Sequence, residues 1–229
     1  MKHFAIAIDG PAGAGKSTLA KKLAERLGVL YVDTGAIYRT IGLYVKRKNV
    51  EPKDAEAVKA LLPEVQVDLR FGEDGLQRML LGGEDVTTEI RLPEMSMYAS
   101  VVSAHAFVRD FLMEMQRKLA RENCVIMDGR DIGTVVLPDA ELKIFLTADV
   151  EERARRRVKE LEGRGTPEPF EKVLEEMKQR DYNDSHRAAA PLKQADDAVL
   201  LDTTELDFAG SEAALLRLVE EKLGVKACK

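Results

Sequence analysis

Short, almost wholly apolar runs alternate with longer amphipathic runs along most of the 229-residue chain. The apolar runs predict five strands, which lie at 4–8, 29–32, 125–127, 142–146 and 198–201. The amphipathic runs predict helices at 16–27, 36–48, 108–121, 150–161, 170–182 and 211–223. Strands that alternate with helices favour parallel crossover connections. We therefore expect an α/β, doubly wound fold with a parallel five-stranded sheet.

The segment before residue 94 departs from this alternation. Residues 65–71 alternate apolar and polar side chains, Glu73-Asp74-Gly75 favours a turn, and a second apolar run follows at 76–81. Gly82-Gly83 and then Val86-Thr87 come next, as a second turn and a third short strand would. This pattern predicts a small antiparallel β meander, which we place in an insert over residues 63–93. The insert has two interpretations, which are surface decoration and a flap beside a substrate. The rest of the chain forms the core, at 1–62 and 94–229.

The first strand and the first helix are joined by a glycine-rich stretch, Gly10-Pro11-Ala12-Gly13-Ala14-Gly15-Lys16-Ser17, which Thr18 follows. It fits the G-x-x-x-x-G-K-S pattern of a phosphate-binding loop (P-loop), in the strand–loop–helix setting that the pattern requires. Glycines let backbone N–H groups close around phosphate oxygens, and a helix N-terminus favours negative charge. Lys16 suits the β- and γ-phosphates of a nucleoside triphosphate, and the Ser17 hydroxyl suits Mg²⁺.

Asp128 comes directly after the predicted strand at 125–127. A carboxylate at this sheet edge lies near the P-loop, which makes Asp128 a candidate Mg²⁺ ligand together with Ser17. The alternative is an aspartate that caps a helix or a turn, since Gly129 follows it.

Arginine side chains recur just after the predicted strand ends or on the neighbouring helices. They are Arg39, Arg109, Arg130, Arg153, Arg155, Arg156, Arg157, Arg180 and Arg187. Positions after the carboxyl ends of parallel strands converge on one crevice, and phosphoryl transfer needs positive charge around the transferred group. One arginine alone fits a solvated helix face equally well, but the whole set favours phosphoryl transfer. The sequence has no N-K-x-D stretch of the kind that reads guanine, which argues against a GTPase.

The formal net charge of −5 argues against a non-specific nucleic-acid binder, which would need a basic face. The two cysteines, Cys124 and Cys228, favour separate thiols over a disulfide or a metal pair. No apolar run approaches the roughly 20 residues of a membrane span, and Asp9 interrupts the N-terminal apolar stretch that a signal peptide would need. We expect a monomer in a reducing cytoplasm, with no nucleic-acid or membrane partner.

The nature of the phosphoryl acceptor stays open on the residues alone. A phosphate monoester has a second pKa of about 6, so it is already ionised at pH 7 and needs no general base. A hydroxyl acceptor would need an aspartate base, and Asp33 is placed for that role. The three histidines show no pairing with a serine or cysteine nucleophile.

Four separated motifs give the chain a specific resemblance to the bacterial cytidylate kinases over nearly its whole length. They are residues 8–13 (IDGPAG), 33–39 (DTGAIYR), 128–134 (DGRDIGT) and 187–192 (RAAAPL). The resemblance implies transfer of the ATP γ-phosphoryl group to CMP or dCMP, with Mg²⁺ accompanying ATP. It also implies that the insert lies on the acceptor side.

The resemblance further implies a role for each matching residue. The acceptor phosphate would meet Arg39 and Arg130, with Arg187 close by, and Thr34 would lie near the acceptor nucleotide. Cytosine would be read by Ser100, Arg109 and Asp131. The sugar would be held by Arg180 and Asp184. A lid over ATP would span 153–169, with Arg153 and Arg157 on the nucleotide.

The catalytic set implied in this way comprises Lys16, Arg130, Arg157, Arg180 and Arg187. Asp131 has a second interpretation, a salt bridge to Arg130 or another arginine. Two other functions stay open, namely a small kinase for UMP or a non-nucleotide acceptor, and a nucleotide-dependent switch.

Overall fold

The structure is a computed structural model that describes residues 3–163 and 165–224. Its strands are β1 (Ala5–Asp9), β2 (Leu30–Asp33), β3 (Val67–Phe71), β4 (Gln77–Leu81), β5 (Glu84–Asp85), β6 (Val125–Gly129), β7 (Leu142–Thr147) and β8 (Val199–Asp202). Its α-helices are α1 (Lys16–Leu27), α2 (Thr34–Arg47), α3 (Ala55–Leu61), α4 (Met95–Val102), α5 (Ala106–Glu122), α6 (Val150–Gly163), α7 (Phe170–His186) and α8 (Phe208–Leu223).

Five parallel strands form the main sheet in the order β2-β6-β1-β7-β8. All five residues of β1 are buried because the strand lies at the centre and is covered on both faces. The chain moves from β1 to one side of the sheet for β2 and to the other side for β8. The carboxyl ends of β1 and β6 therefore open onto the crevice where this fold binds ligands. The predicted α/β fold and its five parallel strands are confirmed.

The core forms two layers, one on each face of this sheet. On one face, Ile6 and Ile8 of β1 pack with Leu23 of α1 and Leu215 of α8. On the other face, residues of α2, α4 and α5 pack against the opposite side of the strands. This second layer is larger because it also contains the apolar residues of the small sheet.

The small sheet is antiparallel, with the order β3-β4-β5. The predicted meander is present, but its third strand is β5 rather than the residues at 86–87 that the sequence suggested. Met79, Val86 and Ile90 from this segment are buried in one cluster with Ile37 and Ile41 of α2. The insert thus packs on the core through apolar side chains, and its treatment as a separate domain stays a prediction.

Several helices differ from their predicted bounds. The structure adds α3 and α4, which are short, and a π-helical turn at Ile132–Val136. Helix α2 begins at Thr34 rather than 36, because the Asp33 carboxylate accepts a hydrogen bond from the Ala36 N–H at 2.9 Å and caps the first turn. Helix α7 runs on to His186, four residues beyond its predicted end at 182.

Within the described ranges, no helix is long and apolar enough to cross a lipid bilayer. Cys124 is a free thiol in the segment before β6, whereas Cys228 lies outside the described residues.

We predict that Ile90→Ala destabilises the whole protein and not the insert alone. Ile90 is fully buried against α2, so the cavity should lower the free energy of unfolding by about 2–5 kcal/mol in a single transition. Leu92→Ala is the control, since the Leu92 side chain is 46% exposed and its removal should cost much less. Urea unfolding followed by circular dichroism measures both. An early separate transition in the Ile90 variant would instead show an independently folding insert.

Candidate active site

The P-loop closes tightly at the end of β1. Gly10 has a φ of +149°, and a Cβ there would lie 1.9 Å from the Leu146 carbonyl oxygen, so no larger residue fits. Gly15 has a φ of +88° and precedes the first turn of α1. The Lys16 ammonium is buried and donates to the Pro11 carbonyl oxygen at 2.7 Å. The Lys16 side chain therefore lies against the backbone of the P-loop that the sequence predicted.

Arg153 supports this loop from α6. It is buried, and it donates to the carbonyl oxygens of Ala12 at 3.0 Å and Ala148 at 2.8 Å. It also forms an ion pair of 2.7 Å with Asp181 of α7. Arg157, one turn further along α6, pairs with Glu160 of the same helix at 2.7 Å. The structure thus ties Arg153 to the loop backbone, and an ATP contact for either arginine stays a prediction.

Asp128 lies where a metal ligand is expected. Its two carboxylate oxygens accept hydrogen bonds from the Ser17 hydroxyl at 2.9 Å and from the Tyr31 hydroxyl at 2.8 Å. Burial, followed by the charge of Asp33, raises the pKa of Asp128 to about 6, although Lys16 opposes this shift. One carboxylate and one hydroxyl fit Mg²⁺, which takes its other ligands from phosphates and water. Tyr31 had no distinguishing signal in the sequence.

Asp33 stands beside Asp128 on the neighbouring strand, in direct register. One of its oxygens caps α2, and the other accepts a hydrogen bond from the Arg91 guanidinium at 2.7 Å. Burial opposes ionisation of Asp33, but the charges of Arg91 and Arg39 outweigh burial and hold its pKa below the ordinary value. A carboxylate held ionised and fully hydrogen-bonded is poorly suited to act as a general base.

Four cations converge on the space in front of the P-loop: Lys16, Arg39, Arg130 and Arg180. Burial and then the charge of Arg130 lower the pKa of Lys16, and burial and then Arg130 lower that of Arg180 to about 10. In the described part of the chain, the buried Arg180 Nε has no hydrogen-bond partner and no carboxylate pairs with Arg39. Positive charge that is only partly compensated attracts polyanions such as nucleotide phosphates into a crevice.

Asp184 orients two of these arginines from α7. It accepts a hydrogen bond from Arg130 Nε at 2.9 Å and lies 3.9 Å from Arg180 Nε. Burial acts against ionisation, but the charges of Arg130 and Arg180 lower the pKa of Asp184. The structure thus brings these three predicted site residues together.

Asp131 and Arg109 form an ion pair that is almost completely buried. Arg187 approaches the second oxygen of Asp131 at 3.4 Å, and Arg109 also donates to the Ser103 carbonyl oxygen at 3.2 Å. The sequence left open whether Asp131 pairs with an arginine. The structure shows that it does, through Arg109 and Arg187 rather than Arg130.

A cavity of about 260 Å³ opens beside this pair, between the turn after α4 and the end of α7. Ser100, His105, Asp184 and Arg187 line it together with Lys53, Val101, Ala104 and Asn183. Asp131 does not line the cavity but contacts Arg187, which does. Thr34 lies deeper, where its hydroxyl donates to the Asp128 carbonyl oxygen at 2.7 Å.

Asp9 is a buried residue that sequence reasoning left without a role. Its carboxylate accepts hydrogen bonds from the N–H groups of Ile132 at 2.8 Å and Gly133 at 2.7 Å. Burial raises its pKa to about 6, against the effect of those two bonds. Asp9 thereby joins the end of β1, where the P-loop begins, to the segment that follows Asp131.

We predict that Asp128→Asn stabilises the nucleotide-free protein in a pH-dependent way. The pKa of Asp128 is raised from 3.8 to about 6 in the folded protein. The free energy of unfolding therefore falls as pH rises through that range and the buried carboxyl group ionises. The gain from the substitution should therefore grow by about 1–2 kcal/mol between pH 5 and pH 8.

Urea unfolding in the presence of a metal chelator measures this gain. Asp139→Asn is the control, since the Asp139 side chain is exposed. An Asp128→Asn effect that is the same at both pH values would contradict the prediction.

The amino-acid sequence was compared with known protein families and with individual proteins. Residues 6–221 match the family profile described as cytidylate kinase. The cytidylate kinase of Caldicellulosiruptor bescii is 50% identical over 220 residues, which are 96% of this chain and 96% of that protein. The cytidylate kinase of Caldanaerobacter subterraneus subsp. tengcongensis is 54% identical over 201 residues, 88% of each chain.

Among solved structures, an uncharacterized protein from Eubacterium ventriosum has the same fold. Its TM-score is 0.54 at 18% identity, with 96% of this chain and 99% of that chain covered. At that identity the likeness concerns the fold alone. The sequence matches say more than the fold, because they span most of the chain at 50% and 54% identity. These matches and the family profile show that this chain belongs to the cytidylate kinase family.

Proposed function

We propose that this protein transfers the γ-phosphoryl group of ATP to CMP or dCMP, giving ADP and CDP or dCDP. The observation that carries the proposal is the convergence of Lys16 with Arg39, Arg130 and Arg180 on one crevice, where their charge is only partly neutralised. Two phosphate-bearing substrates supply the missing negative charge. Family membership supports cytidine nucleotides as the acceptors.

The donor side consists of the P-loop and the metal pair. Backbone N–H groups of residues 12–17 bind the ATP phosphates, and Lys16 leaves the Pro11 carbonyl oxygen to meet the β- and γ-phosphates. Ser17 and Asp128 would hold Mg²⁺, which when bound would neutralise charge that develops on the phosphate oxygens. The Ser17 hydroxyl and the Asp128 carboxylate lie together, hydrogen-bonded at 2.9 Å, so both could supply oxygen ligands.

The transfer step depends on placement and positive charge. Arg39 and Arg130 hold the acceptor phosphate, with Arg187 close by, and Arg180 stabilises the group in transit together with Lys16. The acceptor phosphate is largely ionised at neutral pH, since its second pKa is about 6, so no side chain needs to remove a proton. Asp33, the one candidate base, is committed to Arg91 and to the cap of α2.

Recognition of the base follows from hydrogen-bond chemistry. Cytosine has an amino donor at N4 and acceptors at N3 and O2, which match the Asp131 carboxylate and the donors of Arg109 and Ser100. Uracil presents an acceptor at position 4 and a donor at N3, so both contacts are mismatched. Such a mismatch in a buried site costs up to about 10⁴–10⁵-fold in efficiency. Because Arg187 occupies one Asp131 oxygen, its move toward the acceptor phosphate frees that oxygen for N4.

The sugar and the lid complete the proposed site. Asp184 binds the sugar hydroxyls together with Arg180, and the position of Asp184 in the cavity lining supports this role. The lid at 153–169, of which residue 164 lies outside the described residues, closes over ATP, which brings Arg157 from its pairing with Glu160 to the phosphates and excludes water. The monomeric state, the cytoplasmic location and the lack of a nucleic-acid partner stay predictions of the sequence.

We predict that CMP and dCMP are the best acceptors by a wide margin in an ADP-release assay. The panel contains CMP, dCMP, UMP, AMP, GMP, shikimate and gluconate. A preference for UMP or for a hydroxyl acceptor would overturn the base assignment. An ATPase rate that none of the acceptors changes would instead favour a nucleotide-dependent switch.

We also predict that Asp131→Asn lowers the ratio of CMP to UMP efficiency by at least about tenfold. The asparagine amide can donate a hydrogen bond to O4 of uracil, whereas the aspartate carboxylate accepts one from N4 of cytosine. Asp110→Asn is the matched control, since the exposed Asp110 adjoins Arg109 on α5, and it should leave the ratio unchanged. Equal loss of both activities in the Asp131 variant would show that Asp131 only supports the fold.

A further inference from the structure

Polar side chains of the insert contact the main sheet at the end of the edge strand β2. Gln77, the first residue of β4, accepts a hydrogen bond from the Asp33 N–H at 2.8 Å. The same side chain donates from Nε2 to the Asp33 carbonyl oxygen at 3.2 Å. The amide thus engages both backbone groups of Asp33, as a neighbouring strand would. Gln77 and Asp33 are 44 positions apart in the sequence, so only the fold brings them together.

A second side chain from the insert engages Asp33 from its other end. Arg91 donates from Nη2 to an Asp33 carboxylate oxygen at 2.7 Å. The remaining carboxylate oxygen caps α2 through the Ala36 N–H. Three of the four polar contacts of Asp33 described here therefore come from Gln77 and Arg91, and the fourth holds the first turn of α2.

That turn carries the proposed acceptor-phosphate residues. Thr34 follows Asp33 directly, and Arg39 lies within the next turn and a half of α2. Arg39 Nη1 comes within 3.7 Å of the place where a Cβ on Gly35 would lie, so the guanidinium folds back over the start of the helix. A shift of Asp33 would move this whole group relative to Asp128, its partner in register.

Given the acceptor site of the proposed function, we propose that Gln77 and Arg91 are positioning residues for the acceptor phosphate. The insert fixes Asp33, and Asp33 fixes the first turn of α2 with Thr34 and Arg39. The insert is thereby part of the acceptor site without touching the transferred group. Gln77 gives the cleaner test of the two, because it is uncharged and its loss leaves the charge of the crevice unchanged.

The test compares Gln77→Leu with Arg47→Gln in steady-state kinetics. Leucine has a similar size but makes neither hydrogen bond to Asp33. Arg47 joins the same insert to α2, through Glu84 at 2.7 Å and Glu89 at 2.5 Å, but it does not touch Asp33. It therefore controls for loosening of the insert as such.

We expect Gln77→Leu to raise the KM for CMP by about tenfold, as loss of roughly one net hydrogen bond implies, with the KM for ATP within about twofold of wild type. Arg47→Gln should leave both KM values within about twofold. Arg91→Gln should act in the same direction as Gln77→Leu. Thermal unfolding checks that every variant is folded.

A double variant tests whether Gln77 acts through Arg39. If it does, adding Gln77→Leu to Arg39→Ala raises the KM for CMP by much less than it does in the wild type. An unchanged KM for CMP in folded Gln77→Leu, an equal rise in Arg47→Gln, or full additivity with Arg39→Ala would each overturn the positioning role. A wild-type protein that does not use CMP would instead refute the proposed function, which is a separate outcome.

Discussion

The site is built around positive charge that the protein does not fully neutralise. Lys16, Arg39, Arg130 and Arg180 surround one crevice at the carboxyl edge of the sheet. Burial, followed by the charge of Arg130, lowers the pKa values of Lys16 and Arg180. Holding cations this close is unfavourable without anions between them. The fold tolerates the arrangement because β1 and the P-loop are fixed by apolar packing on both faces of the sheet. Substrate phosphates then supply the negative charge that balances these cations.

The carboxylates of the crevice have different hydrogen-bond partners, and most of them pair with an arginine. Asp184 holds Arg130, Asp131 holds Arg109, and Asp33 holds Arg91. Each of these pairs fixes a guanidinium in one orientation. Asp128 is different, because its partners are two hydroxyl groups and its pKa is raised. Of these four carboxylates, the one that lacks a cationic hydrogen-bond partner is thus the one next to Ser17, where a divalent metal would supply the charge.

The sequence predicted features that are local or repeated. The P-loop is a contiguous motif between a strand and a helix, and the buried strands appear as short apolar runs, so both follow from the chain itself. Helix α4 was missed because its eight residues are apolar on most sides and show little helical periodicity. The arginines were found as a set, since their positions after strand ends could be inferred from a parallel sheet.

The individual partners of these residues could not be predicted in the same way. The contact of Gln77 with Asp33 and that of Arg153 with Ala12 join positions 44 and 141 apart in the chain. Such contacts depend on how separate elements pack, and neither residue type carries a pattern that reveals them. Asp9 is a similar case, because its bonds to the turn at 132–133 exist only when β1 and β6 lie side by side.

One crevice joins a donor and an acceptor phosphate site through shared cations, and isothermal titration calorimetry tests this most directly. The ligand is a compound that links adenosine and cytidine through a polyphosphate chain. We expect this compound to bind at least about 10²-fold more tightly than ATP or CMP alone, because both sites are filled at once. Binding no tighter than that of ATP alone would show that the cations next to the P-loop do not also hold an acceptor.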